Sequence, residues 1–299
     1  MALAKRIFLF LLVNTLVITT ITLVLSLLNI KPYLTSYGLD YTSLMIFCLI
    51  WGMGGALISL ALSKMMAKWM MSVRIIDSET HDPRLSALVE TVHALCRTAG
   101  LHYMPDVGIY ASQEPNAFAT GPSQKRSLVA VSTGLLYRMS QEELEGVLAH
   151  EITHIANGDM VTMTLIQGVV NAFVMFLARA LAFAISNVGG KRENTSYMGY
   201  TLLVVVFQIV FMILGSIVVA WFSRLREYRA DRGGAHLAGK EKMIHALQAL
   251  ERMHNIRDPM SQKHAAFEAL QIHTSSKSIF RFFASHPSII ERIARLQEL

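Results

Sequence analysis

"HEITHIANGD", His150 to Asp159, places two histidines four residues apart with a glutamate directly after the first. On a helix, residues i and i+4 lie one above the other, so both imidazoles reach a single metal ion from one face. Glu151 adjoins that pair and is placed to take a proton from water at the metal rather than to bind the metal itself. The helix around it is clearly marked. Ser140 and Glu143 form a capping-box pattern at its start, and Leu144, Val147, Leu148, Ile152 and Ile155 make a buried stripe. Gly158 is a natural C-terminal stop. A catalytic zinc takes three protein ligands and keeps a fourth position open, so a third ligand must come from elsewhere.

The motif leads into "GVVNAFVMFLARALAFAIS", a stretch suited to a lipid bilayer. The whole chain leans the same way. Of its 299 residues 53% are hydrophobic and 16% charged, against about a quarter charged in ordinary soluble domains. Four apolar segments stand out: 7–28, which carries no charge and exceeds a signal-peptide core, 44–63, 165–185 and 201–222. Their connections, 29–43 and 186–200, are short, so the spans form two hairpins. Gly52, Gly54 and Gly55 suit close helix contact in the second span. Gln167 and Asn171 in the third read as a bond between helices. Arg179 there costs about 2.5–3.5 kcal/mol at a helix centre, so it is expected to snorkel toward the interface.

The net charge of +6 does not point to nucleic acid, because many basic residues sit at the ends of apolar segments. Lys5, Arg6, Lys64, Lys68, Arg74, Arg224, Arg226 and Arg229 fall on one side, against Lys31, Lys191 and Arg192 on the other. The positive-inside rule then sets both termini and both polar regions in the cytoplasm. The cysteines Cys48 and Cys96 build no disulfide framework or metal site, which fits a reducing compartment. The expected fold is a multi-pass α-helical membrane protein with a cytoplasmic α+β domain in two halves. Its parts are a first hairpin (1–72), a first catalytic half (73–160), a second hairpin (161–223) and a second catalytic half (224–299).

In the first half, "DPRLSALVETVHALCRTAG" reads as a helix with Leu85, Leu88, Val89, Val92 and Leu95 on one face and Gly100 closing it. "DVGIYAS" and "SLVAVSTG" read as short strands, and the turn-rich segment between them, taken by itself, as a loop. In the second half, a helix is expected to break near Gly233 and Gly234. Pro287 sits near the start of a last helix.

Topology restricts the third ligand. It must return to the side of the motif, so an even number of crossings separates it from His150, and the second hairpin supplies two. Directly after that hairpin stands "REYRAD", with Glu227 and Asp231 at i, i+4. Glu227 is a suitable carboxylate ligand, and Asp231 can hold a ligand imidazole through its other ring nitrogen. The competing reading pairs these acids with Arg224, Arg226 or Arg229 as a juxtamembrane salt-bridge stretch; the upstream motif tips the balance to the ligand.

"HEITHIANGD", "REYRAD", "NAFATG" and "SHPSIIERI", in their order along essentially the whole chain, resemble the HtpX family of bacterial membrane zinc endopeptidases, relatives of the CaaX-processing membrane proteases. The resemblance implies one zinc per subunit on His150, His154 and Glu227 and a thermolysin-like, zincin-like core. It further implies proteolytic quality control of misfolded membrane proteins in the bacterial cytoplasmic (inner) membrane, alongside an ATP-dependent membrane protease. It makes Asn116, Ala117, Phe118 and Ala119 an edge strand beside the catalytic helix, on which an extended substrate can pair. His286 is then a candidate to stabilise the tetrahedral oxyanion, or alternatively to occupy the open metal position; a helix-capping role without chemistry is the bland alternative. Arg292 can face the same cleft. Against an active peptidase stands a non-hydrolytic membrane sensor or scaffold with structural zinc, but such a site needs no base like Glu151. A metal transporter would carry its ligands inside the spans.

Overall fold

The computed structural model describes residues 38–77, 80–187, 197–257 and 286–299, together with Thr19, Leu23, Leu34 and Thr35. The first expected span, 7–28, lies outside the described residues apart from Thr19 and Leu23. The chain separates into two compact units, one of residues 1–60 and 162–219, the other of 61–161 and 220–299.

In the first unit a two-stranded antiparallel ladder, β1 (Leu34–Thr35) and β2 (Gly38–Leu39), precedes helix α1 (Tyr41–Met70). Two further long helices come later in the chain, α5 (Asp159–Ser186) and α6 (Tyr197–Ala238). All three are long and apolar enough to cross a membrane, with mean hydropathy between 2.0 and 2.9 over their most apolar stretches. Small residues set how closely they approach. A Cβ on Gly52 of α1 would lie 2.6 Å from the backbone nitrogen of Ala172 in α5, so only glycine permits that crossing. Gly168 answers it from α5 against Met53, and Gly215 of α6 meets Val170 and Val174. Outward faces carry large apolar side chains, Phe173 and Leu202 among them, as lipid solvation requires.

One polar pair of α5 differs from the expectation among the described residues. Gln167 donates to the Asn171 side chain at 2.9 Å on the same helix, exposed, and reaches no other described helix. The i, i+4 spacing already brings the two amides together, so no partner helix is needed to satisfy one bond. Arg179 has partners close by. It donates back to the Met175 carbonyl at 3.1 Å and lies 5.5 Å from the Phe47 ring centre, finding both partners within the helix pair.

The second unit is built on a four-stranded sheet in the order β3-β4-β6-β5: β3 (Arg74–Ile75), β4 (Asp106–Tyr110), β6 (Leu128–Ser132) and β5 (Ala117–Thr120). β4 and β6 run parallel, and the outer two pair antiparallel. The inner strands are buried and rich in Val, Ile and Leu, as central strands are. The turn-rich segment read by sequence alone as a loop therefore contains an edge strand. Its alternation is hidden by two alanines, while Phe118 packs on Tyr110 with ring centres 5.7 Å apart.

Helix α2 (Pro83–Thr98) is capped by Asp82, which accepts from the Arg84 amide, and it buries Leu85, Leu88, Val92 and Leu95. After the short α3 (Thr133–Arg138) comes α4 (Gln141–Asn157), with the Ser140–Glu143 capping box formed and Gly158 closing it at φ 66°. Strands β4 and β6 and helices α2 and α4 enclose one core, to which α7 (Lys240–Arg257) adds Ala246 and Ala249. Near the C-terminus α8 (Ile289–Gln297) buries Leu296 against Met243, Ile244 and Leu247 of α7.

The expected break at Gly233 and Gly234 is absent; α6 runs unbroken to Ala238, and the turn comes at Gly239, with φ 101°. The two glycines serve packing instead. A Cβ at Gly233 would lie 2.3 Å from the Thr153 methyl carbon, and one at Gly234 3.2 Å from the His150 backbone nitrogen. They let α6 come directly onto the histidine helix.

Candidate metal centre

That close approach brings a carboxylate to the histidines. His150, His154 and Glu227 all lie buried, and among the described residues they form the one group of three able to hold a metal ion. The Nε2 atoms of His150 and His154 are 3.1 Å apart. Glu227 sets one oxygen 3.5 Å from His150 Nε2 and the other 3.6 Å from His154 Nε2. Ligands about 2.0–2.1 Å from a tetrahedral zinc stand roughly 3.3 Å from one another, so the spacing fits the ion.

The other ring nitrogens are already committed. His150 Nδ1 meets Asp231 at 2.9 Å, and His154 Nδ1 meets Asp159 at 2.6 Å. A carboxylate at Nδ1 draws the ring proton there and leaves the Nε2 lone pair facing inward. A proton on one Nε2, or a cation between the two, satisfies nitrogens that stand 3.1 Å apart. Burial alone would lower the His150 pKa, but hydrogen bonds to Asp231 and Glu227 outweigh it and raise it to about 9. Burial likewise works to raise the Glu227 pKa, yet His150 and His286 hold it far below the usual carboxylate range. Asp231 is also lowered against its burial, by Arg292 and His150. The cavity is thus poised for positive charge, and ligation at His150 Nε2 requires its proton to leave.

Glu151 is next to the ligands but turned toward the sheet, where its Oε2 accepts the Ala119 amide at 2.8 Å. That bond shows how β5 is oriented. Ser132 N–H donates to the Asn116 carbonyl on the β6 side, and Phe118 stands opposite Ala130; the main-chain groups of Ala117 and Ala119 face away from β6. A cavity of about 430 Å³ lies there, lined by Asn116 to Ala119, the three ligands, Glu151, His286 and an apolar wall including Val147, Met243 and Leu250.

His286 lies at the rim, with its side chain 62% exposed and Nδ1 3.0 Å from Glu227. Arg292 reaches deeper than the sequence indicates: its Nε donates to Asp231 at 2.7 Å and Nη2 to the other oxygen at 2.5 Å. Arg226 does pair with Glu227, at 2.9 Å, so a salt bridge of the competing reading of "REYRAD" is present beside the histidines. Asp159 is a member of this cluster that sequence reasoning misses, although it closes the quoted motif. Its signal is the glycine before it: the left-handed turn at Gly158 folds the chain back, so Asp159 returns to a ring five residues earlier.

Two helix-borne histidines, a glutamate from a distant helix and a further carboxylate beside a sheet edge are the arrangement of a metallopeptidase site, here in a chain whose described residues include three membrane-competent helices. Residues 81–299 match the model of peptidase family M48, and the chain belongs to that family. It is 51% identical over 300 residues to the "Protease HtpX homolog" of Bacillus licheniformis, covering 98% of this chain and 99% of the relative. The protein of the same name from Bordetella pertussis is 50% identical over 295 residues, 98% of each chain. Among solved structures, Ste24p of S. mikatae superposes with TM-score 0.66 at 15% identity, covering 98% of this chain and 65% of that one. That likeness concerns the fold. The chain is a membrane metalloprotease.

Proposed function

We propose that this metalloprotease is a zinc endopeptidase that cuts polypeptides, misfolded membrane proteins in particular, at the cytoplasmic face of the bacterial cytoplasmic membrane. The observation that carries the reading is the convergence of His150, His154 and Glu227 with Glu151 held against an open strand edge. Four spans are proposed, the described helices α1, α5 and α6 with 7–28 as the first, and the charge distribution favours a cytoplasmic site. The choice of membrane substrates and the overlap with an ATP-dependent protease rest on the family resemblance.

Zinc on the two histidines and Glu227 would supply Lewis acidity to the scissile carbonyl and the attacking water. The chain does the rest. The outward main chain of Ala117 and the Ala119 carbonyl offer a strand edge for an extended substrate, binding it without regard to most side chains. Glu151 takes the proton from water and returns it to the leaving amine. Since Ala119 N–H already holds Glu151, a substrate pairing on β5 meets the base at a fixed position. His286 has Nδ1 on Glu227, and in its imidazolium form Nε2 donates to the developing oxyanion.

The test compares wild type with Glu151→Gln, both purified in detergent, stripped by chelator and reloaded with zinc. Bound zinc near one equivalent in each, with an unfolded test protein cut by wild type alone, supports the reading. Equal cleavage assigns the activity to a contaminant, and intact zinc without cleavage in either favours the scaffold.

A further inference from the structure

The metal ligand Glu227 and its neighbour Asp231 belong to α6, whereas the groups that hold them from outside, His286 and Arg292, belong to the C-terminal segment some sixty residues on. Something must fix α8 along α6 so that both meetings occur. Between them lies a third contact that the reaction does not use. The Tyr228 hydroxyl donates to Glu291 Oε1 at 2.6 Å, and the Arg295 guanidinium stacks 3.7 Å from the Tyr228 ring centre while reaching Glu291 at 3.3 Å. Along α6 the order is acid, hydroxyl, acid; along the C-terminal segment it is histidine, acid, arginine.

We infer that Tyr228 and Glu291 form a register pin: they seat α8 at the one position where His286 meets Glu227 and Arg292 meets Asp231, and so act as positioning residues for the metal centre. The charges show why the register is unique. Advancing α8 by one turn along α6 brings Glu291 toward Asp231, carboxylate against carboxylate. Moving it back withdraws Arg292 from Asp231 and takes Glu291 off the Tyr228 hydroxyl. Tyr228 is the neutral donor in that row, and Glu291 the acid it selects. The packing beneath, Leu296 buried on Met243, Ile244 and Leu247, holds α8 in place without pairing particular polar groups.

The inference rests on the peptidase reading for its kinetic arm and is independent of it for the other. Tyr228→Phe keeps the ring under Arg295 and removes only the donor. In the metal-free full-length chain, amide exchange over 289–297 should quicken about tenfold while α4 stays protected. In the zinc-loaded protein, kcat should fall about tenfold with KM within about twofold and zinc still near one equivalent. Glu291→Gln still accepts the hydroxyl and should stay near wild type, whereas Glu291→Leu should follow Tyr228→Phe. Unchanged exchange in α8, or Glu291→Gln failing as badly as Glu291→Leu, overturns the pin; so does quickened exchange spread evenly through α4 and α6. A wild type that binds zinc but cuts nothing sinks the peptidase reading and leaves the exchange result to judge the pin.

Discussion

Helices α5 and α6 each carry a polar pair at i, i+4, and the two pairs meet opposite fates. Gln167 and Asn171 bond to one another on an exposed helix face. Glu227 and Asp231 are 2% and 3% exposed, and every oxygen that faces the centre is engaged by a histidine or an arginine. The spacing is the same, so spacing does not distinguish an exposed amide pair from half of a candidate metal centre. The distinction comes from the helix that packs on top. Gly233 and Gly234 admit α4 to the face of α6 that carries Asp231 and, one turn earlier, Glu227.

The comparison breaks most directly at its metal end. Glu227→Ala removes a ligand and leaves the two Nε2 atoms facing each other without their counter-charge. Bound zinc should fall from one equivalent to a small fraction, with cleavage lost alongside it, as metal analysis of the purified variant would show. Retention of tight zinc would mean that another residue is the third ligand.

Next in size is Asp231→Asn. A group that orients a ligand imidazole typically supports metal affinity by about 10–100-fold. Here the loss should sit at the upper end, because the change also strips the buried Arg292 of its counter-charge. Asp159→Asn should cost less, about tenfold, since the Gly158 turn holds residue 159 beside His154 whatever its charge. Competition with a zinc-sensitive dye ranks the pair, and the reverse order would contradict the assignment of the distant carboxylate as the more heavily coupled one.

Legibility in the sequence divides along the same line. His150, Glu151, His154, the capping box and the Gly158 stop are local, and local periodicity and capping chemistry announce them. Glu227 and Asp231 are reachable because membrane parity restricts where a partner can return. The role of Arg292 stays open in the sequence, since an arginine on a terminal helix ordinarily solvates it and only the fold brings Asp231 to it. The edge strand is obscured by Ala117 and Ala119, which bear no β-signal, and by the turn residues around them. The glycine pair reads as a break because Gly in a helix disfavours it by about 1 kcal/mol relative to Ala. In this fold a close crossing outweighs that preference.

Gly233→Ala tests the crossing itself. The new Cβ would meet the Thr153 side chain 2.3 Å away, and overpacking of this kind costs about 1–3 kcal/mol. A helix propensity gain of under about 1 kcal/mol opposes it, so the net sign is destabilising. Zinc affinity should weaken with it, because α6 carries Glu227 outward as it yields. Thr153→Ser removes the clashing methyl and should restore most of the loss in the double variant. A stability gain in Gly233→Ala alone would show that α6 is free to move off α4.

The smallest effect belongs at the other end of the comparison. Gln167→Leu replaces an exposed amide whose one bond, among the described residues, is to Asn171 four residues on. Such a pair contributes about 0.2–0.5 kcal/mol to a helix, and leucine regains part of that by suiting lipid. Thermal unfolding in detergent should shift by no more than a degree or two, and cleavage of an unfolded soluble protein should stay at the wild-type rate. Membrane-embedded substrates give the sharper reading. If their cleavage falls while soluble cleavage holds, the amide pair contacts a transmembrane segment, and the two i, i+4 pairs share a functional task. If both rates hold, burial alone separates the pair that does chemistry from the pair that does not.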